Sequence, residues 1–311
     1  MIPRKSPAPA IAGAGVCCLD HVFIAPQISW GQTTQIQDYR VQGGGLVGTA
    51  LVACARLGAQ CRLFSYLGND EVGIRVAAEL AAEGISLAGV LRGLRGSSPF
   101  SFIHVDNKTG ERTIFHRPAQ VEEDTGLPDF EWIAQSDALL IDDYYPELSL
   151  AAAQAARRKG VPVIADTTIN PEKRMELFQA IDVLIVPRSF AERYGFGSDL
   201  AAAIRAMHRL GPTTVIITLG KEGWVFSSPE EKGHGKAFKV DVVDTTGAGD
   251  AFHGAFAYAL ARGWGVERCA EFAAAVAAIK CTRVGGRTGL PSLTQIMIFL
   301  KKKSRLDWTR P

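Results

Sequence analysis

The segment Thr245–Asp250, Thr-Thr-Gly-Ala-Gly-Asp, places two glycines around an alanine and follows them with a carboxylate. An apolar run, Ala251-Phe-His-Gly-Ala-Phe256, comes next and has the composition of a helix. Glycines ahead of a helix leave backbone N–H groups free at its positive end, which attracts anions. A carboxylate in the first turn has two readings. It stabilises the helix end, or it acts as a base beside a phosphoryl acceptor. Locally, the segment is either a phosphate cradle with its base or a tight strand-to-helix turn.

Two other glycine sites share the pattern. Gly43-Gly44-Gly45 precedes the helical run LVGTALVACARLGA, so either a ligand lies against bare backbone or the triplet is a hinge. Thr218-Leu-Gly-Lys-Glu-Gly223 ends an apolar strand, where open α/β sheets bind ligands, but a β-turn has the same composition. No GxxxxGK[ST] loop is present, and the GAG at 13–15 lacks the third glycine of a dinucleotide fingerprint because Cys18 stands there.

The elements around these sites read as follows. Residues 11–18 form a buried first strand, and 35–42 alternate as an exposed strand. Residues 60–68 form a strand, followed by a helix with an acidic start that ends near Gly84. Residues 99–117 read as a hairpin turning at Asp106–Gly110. Short apolar strands at 137–142, 162–167, 182–187 and 214–220 then alternate with helical segments, the signature of a parallel sheet covered on both faces. One α/β domain spanning 1–311 is expected, with the strands near 32–42 and 97–118 outside the main rhythm as a small β lid.

Bulk properties bound the function. The 311 residues carry a net charge of +2, and without a basic block a dedicated nucleic-acid binder is not expected. The KKKSR at 301–305 reads as a solvated tail. The six cysteines show no metal or redox spacing, which suits a reducing cytoplasm. The N-terminal segment lacks the apolar core of a signal peptide and reads as a frayed tail, and no run is long enough to span a membrane.

Taken together, GGGLVGTALVACARLGA with YLGNDEVG, and DTTGAGDAFHGAF, resemble the ribokinase-like (PfkB) family of carbohydrate kinases over roughly residues 11–295. The resemblance implies an αβα sandwich with a mostly parallel sheet and a β lid. It also implies ATP-dependent phosphorylation of a sugar hydroxyl, of ketose or furanose type. Asp250 matches the family's catalytic base, and the amides of Gly247, Ala248 and Gly249 match its anion hole. Asp20, Gly43, Gly44, Gly45 and Gly48 match the substrate side, and Thr218, Gly220 and Gly223 the nucleotide loop. Mg²⁺ would accompany ATP. Asp244 and Thr246 correspond to a region that holds K⁺ in several relatives, or they simply cap the loop. A homodimer through the lid is the implied assembly.

Departures are specific. Gly48 stands where many members have asparagine, and Arg188-Ser-Phe-Ala191 replaces their NxxE motif. The chain looks closest to ketohexokinase and sulfofructose kinase branches, yet Gln32, His116 and Tyr144 occupy the places where cations would grip a sulfonate. Arg40, Arg112 and Arg117 are the candidate lid cations. His253 reads as packed or hydrogen-bonded. Asp142, Asp143 and Asp166 are strand-end carboxylates with either substrate or solvent contacts, and Arg283 and Arg287 border the nucleotide or the surface. Two other functions stay open, a nucleoside kinase and a sugar-binding regulator without turnover.

Overall fold

The computed structural model describes residues 8–94, 97–121, 125–168, 174–195, 199–304 and 306–308. The expected N-terminal tail at 1–7 and Arg305 of the basic tail lie outside the described residues.

The chain starts in β1 (Ala10–Ala14), which pairs in parallel with β4 (Gln60–Gly68) and β8 (Ala138–Ile141). Parallel pairing then runs through β9 (Val163–Asp166), β10 (Val183–Pro187) and β11 (Thr214–Thr218). On the far edge, β5 (Ser86–Leu94) joins β4 in parallel, while β12 (Trp224–Ser227) and β13 (Lys232–Gly235) close the other edge antiparallel. The sheet has nine strands in the order β13-β12-β11-β10-β9-β8-β1-β4-β5. The α/β architecture expected from strand–helix alternation is therefore present.

The strands read as unbroken apolar runs because both faces are covered. Ile11, Leu63, Leu140 and Ile185 point to a layer formed by α1 (Leu46–Arg56), α2 (Glu71–Ala82), α7 (Ala248–Ala261) and α8 (Val266–Lys280). Their neighbours Ala12, Leu139, Ile141 and Leu184 point to α3 (Pro146–Arg157), α4 (Met175–Gln179), α5 (Arg188–Arg193) and α6 (Leu200–His208). A last helix, α9 (Leu293–Lys303), starts with a Ser292/Gln295 capping box. Each fully buried aliphatic side chain contributes about 1.5–3 kcal/mol, so a one-residue slip of any strand would be costly.

The expected first strand at 11–18 divides in two. A Cβ on Gly15 would lie 2.3 Å from Asp142 Oδ2, and that carboxylate takes the Val16 amide at 2.7 Å. The chain leaves the large sheet here and enters a second sheet as β2 (Cys18–Ala25). That sheet has the order β3-β2-β6-β7, with β3 (Asp38–Gly44), β6 (Phe100–Asp106) and β7 (Arg112–Arg117). The expected hairpin is β6–β7, but the sheet also contains β2, which lies outside the expected 32–42 and 97–118. Strand β5 is likewise an addition to the expected elements. Its Gly89 interrupts the apolar pattern because a Cβ there would lie 2.4 Å from the Phe64 ring.

Helices α1 and α7 carry the two glycine sites, and their spacing decides how close those sites come. A Cβ on Gly254 would lie 2.2 Å from Ala50 O, and Cys54 Sγ donates to Gly254 O at 3.1 Å. Alanine at 254 would force the helices apart, a change that typically costs about 1–3 kcal/mol. Close packing thus aims the N-termini of α1 and α7 at one cleft.

Candidate active site

Between the carboxyl edge of the large sheet and the inner face of the small one lies a cleft of about 1320 Å³. Asp20, Ser101 and His116 of the small sheet line it with Tyr144, as do Thr218, Gly220 and Gly223 at the carboxyl end of β11 and Gly247–Asp250 at the start of α7. Side chains separated by most of the chain meet here, which is where doubly wound sheets place ligands.

Gly247 caps α7 in the left-handed region, φ 73°, and a Cβ on it would lie 2.8 Å from Gly286 Cα. The turn therefore demands glycine twice over, for conformation and for space. The amides of Gly247 and Gly249 carry no hydrogen bond among the described residues, whereas Ala248 N donates to Thr245 O at 3.1 Å. This corrects the expectation for Ala248: its N–H closes the turn, and the free donors are its two glycine neighbours. Asp250 follows in the first helical turn, half-buried. Burial pushes its carboxyl up to about 7. The charge of Asp166 adds to the rise, and His253 and Arg112 oppose it.

His253 is hydrogen-bonded, as expected, with Nδ1 at 2.8 Å from Gly249 O and Nε2 at 3.0 Å from Ile185 O. Its Nδ1 also lies 3.4 Å from Asp166 Oδ2. The ring ties the first turn of α7 to the ends of β9 and β10. Asp142 is neither solvated nor in contact with the cleft. It is 1% exposed, accepts from Val16 N and Tyr144 N at 2.7 and 3.0 Å, and burial pushes it up to about 8. Asp143 binds Thr168 N at 2.7 Å and the Thr167 hydroxyl, so both strand-end aspartates serve as loop anchors.

Where the small sheet lines the cleft, Asp20 is 6% exposed and accepts from Cys18 Sγ at 3.2 Å. Burial raises its carboxyl, while the hydrogen bond from Cys18 and the charge of Arg287 work against the rise. Of the four glycines expected on this side, Gly45 lines the cleft. Gly43, Gly44 and Gly48 instead make room for neighbours behind the loop: a Cβ on Gly44 would lie 1.9 Å from Asp20 Oδ2, and Arg287 crowds the other two. His116, expected where a cation would grip a sulfonate, lines the cleft. Its Nδ1 lies 3.1 Å from Ser101 Oγ, its Nε2 is buried without a partner, and its ring meets Tyr144 edge-on at 5.2 Å.

Among the three lid arginines, Arg112 reaches the cleft, with Nη1 3.1 Å from Thr245 Oγ1. Arg40 pairs with Asp38, and Arg117 lies over the Phe100 ring. Gln32 is exposed and outside the cleft lining.

Gly220 (φ 57°) and Gly223 (φ 111°) shape a turn after β11, closed by Leu219 N donating to Gly223 O at 2.8 Å. A Cβ on Gly223 would lie 1.9 Å from Gly235 O. Arg188, at the first position of the missing NxxE motif, lines the cleft and forms a two-pronged pair with Glu222, both contacts 2.9 Å. Phe190 and Ala191 of that stretch are buried and offer no ligand atoms.

Asp244 is fully buried. Its carboxylate oxygens accept Thr246 N at 2.8 Å and Gly285 N at 2.6 Å, and its carbonyl accepts Lys280 Nζ at 2.8 Å. Each carboxylate oxygen thus caps one backbone N–H of the loop. Thr246 Oγ1 is buried without a partner and remains a free oxygen donor. Among the described residues no group of three His, Cys, Asp or Glu side chains is arranged to hold a metal, all six cysteines are free and buried, and no helix is long and apolar enough to cross a membrane. Arg283 is exposed, whereas Arg287 is buried.

Comparison with known proteins agrees with this geometry. The model of the pfkB family of carbohydrate kinases matches residues 13–293. The chain is 30% identical over 292 residues to a ribokinase of Haemophilus influenzae, covering 91% of this chain and 95% of that protein. It is 29% identical over 283 residues to an aminoimidazole riboside kinase of Salmonella typhimurium, covering 84% and 88%. A crystal structure of ribokinase from Thermotoga maritima superposes with a TM-score of 0.80 at 30% identity, covering 94% of this chain and 99% of that one.

Proposed function

The chain belongs to the pfkB family of carbohydrate kinases, a phosphotransferase with an alcohol group as acceptor, and within that family we propose that it phosphorylates a hydroxyl of a free sugar with ATP as donor. One observation carries the reading: Asp250, raised toward neutrality, stands beside two free glycine amides in a cleft lined both by the small sheet and by the turn after β11.

The geometry supports the following division of labour. Asp20 and His116 accept and donate hydrogen bonds to acceptor hydroxyls, and Tyr144 supplies an apolar wall. Asp250 takes the proton as the hydroxyl oxygen bonds to the γ-phosphorus and the bond to the ADP oxygen breaks. The Gly247 and Gly249 amides, with Arg112 above them, stabilise charge on the phosphoryl oxygens in transit. Thr218, Gly220 and Gly223 border the nucleotide, and Arg188 is free to exchange Glu222 for phosphate. The small sheet acts as the lid and keeps water from the γ-phosphate.

Mg²⁺ neutralises phosphate charge and enters with ATP as part of the donor substrate, since the NxxE position offers Arg188, Ser189, Phe190 and Ala191 rather than a carboxylate. The Asp244 carboxylate oxygens each accept one backbone N–H and keep lone pairs, so they and Thr246 Oγ1 are the groups that would hold a K⁺ ion. No step is assigned to that ion. A homodimer through the small sheet is supported by Tyr39, Phe102 and Phe115, exposed on its outer face.

A nucleoside acceptor is the second reading. The riboside kinase among the relatives and the aromatic pair His116–Tyr144 favour it. The deciding experiment offers ketoses, aldoses, furanosides and nucleosides with Mg²⁺-ATP and identifies products by mass and NMR. A phosphorylated free sugar is the expected product. A nucleoside phosphate alone would select the second reading. Binding without ADP release from any acceptor would leave a sugar-binding regulator.

A further inference from the structure

Arg287 lies in the connection between α8 and α9, is 5% exposed, and runs its guanidinium beneath residues 43–49. Its Nη2 donates to Gly44 O at 2.7 Å and its Nε to Thr49 Oγ1 at 3.4 Å. Its carbonyl accepts from Arg56 Nη1 at 2.8 Å, and Arg56 is itself fixed to Glu83 by contacts of 2.6 and 3.0 Å. Close by, the Glu79 carboxylate accepts the Gly43 amide.

The glycines are the complement of this side chain. A Cβ on Gly43 would lie 2.0 Å from Arg287 Nη1, and one on Gly48 would lie 2.8 Å from Nη2. The space that a side chain at 48 would take is therefore shared by the guanidinium and Cys17, whose Cβ would lie 2.9 Å away. Burying a cation costs several kcal/mol, and here its hydrogen bonds go to neutral oxygens. Packing alone would be served by an apolar residue of similar length. The charge has a direction, however: it acts across the loop on Asp20 and Glu79.

We propose that Arg287 is a positioning residue for the acceptor, and that the pair Gly48–Arg287 does from beneath the loop what a polar side chain on α1 would do from inside the cleft. Clamping the Gly44 carbonyl fixes β3 against β2 and so holds the Asp20 carboxylate in place for the acceptor hydroxyls. The assignment rests on the acceptor end described under the proposed function.

The test uses the full chain with Arg287→Met, Arg287→Lys, Gly48→Asn and the double variant Gly48→Asn/Arg287→Met. Loss of a charged hydrogen bond predicts an acceptor KM about 10- to 100-fold higher in Arg287→Met, with kcat and the KM for ATP little changed. Amide exchange in 43–49 should accelerate by a similar factor while α7 keeps its protection. The two substitutions should combine less than additively, because Arg287→Met removes one of the groups a side chain at 48 meets while the Cys17 contacts at 2.9 and 3.2 Å stay. If Arg287→Met does not fold, Arg287→Lys carries the same comparison, since lysine keeps the charge and loses the fork. Equal rises in both KM values, or unchanged exchange at 43–49, would overturn the proposal. A wild-type protein that phosphorylates no acceptor would overturn the kinase reading instead. The exchange measurement still decides on Arg287 in that case.

Discussion

At the α7 end of the cleft, the base and both free amides come from four consecutive residues, Gly247 to Asp250. At the acceptor end, Asp20, Gly45, Ser101, His116 and Arg287 come from five separate segments. The first end is mostly backbone, set by a left-handed glycine and a helix terminus, with its electrostatics fixed by local conformation. The second is mostly side chain and exists only once β2, β6, β7, α1 and the α8–α9 connection have come together. The contrast teaches where the two tasks reside. In the proposed reaction, transition-state charge falls to a compact local motif, while acceptor choice is spread over separate segments.

The strongest way to break this division is Asp250→Asn. Loss of a general base predicts a kcat lower by about 10²–10⁴-fold with the KM for the acceptor little altered. Steady-state kinetics checks this, and an unchanged melting curve shows that the fold persists. Near-normal turnover would remove Asp250 from its role.

Asp20→Asn sharpens the comparison from the other end. It should raise the acceptor KM by about 10- to 100-fold and leave the KM for ATP in place. A fall in kcat as large as that of Asp250→Asn, with KM unmoved, would erase the distinction between the two ends.

The smallest effect is a shift in pH dependence. Asp250 has a folded pKa of about 7, above its ordinary value, so the carboxylate base is present above that pH and is lost as pH falls through it. The rate with wild type should therefore fall on the acid side near pH 7. The Arg112 charge favours the carboxylate, so Arg112→Met should move that acid limb to higher pH. A limb that stays in place would separate Arg112 from Asp250.

Much of this was legible along the chain. The short apolar strands from 137 to 220 announced a parallel sheet, and GAGD announced a helix terminus with a carboxylate, because both are local patterns of hydrophobicity and glycine. The division of 11–18 into β1 and β2 was not legible, since it depends on Asp142 meeting Gly15 across the sheet. Nor was the purpose of Gly43 and Gly48. Bare backbone for a ligand and bare backbone for a guanidinium look the same in a sequence. Ala248 looked like a third free donor because a run of residues does not say which amide turns back to Thr245.

The sequence by itself determined the α/β class and the family and singled out Asp250 as the proposed base, all carried by periodicity and by contiguous motifs. Only the tertiary structure decided which lid arginine reaches the cleft, what occupies the space beside Gly48, and how far Asp250 is shifted. Those depend on burial and on distances between residues remote in the chain, and low-dielectric electrostatics exists only after folding has brought them together.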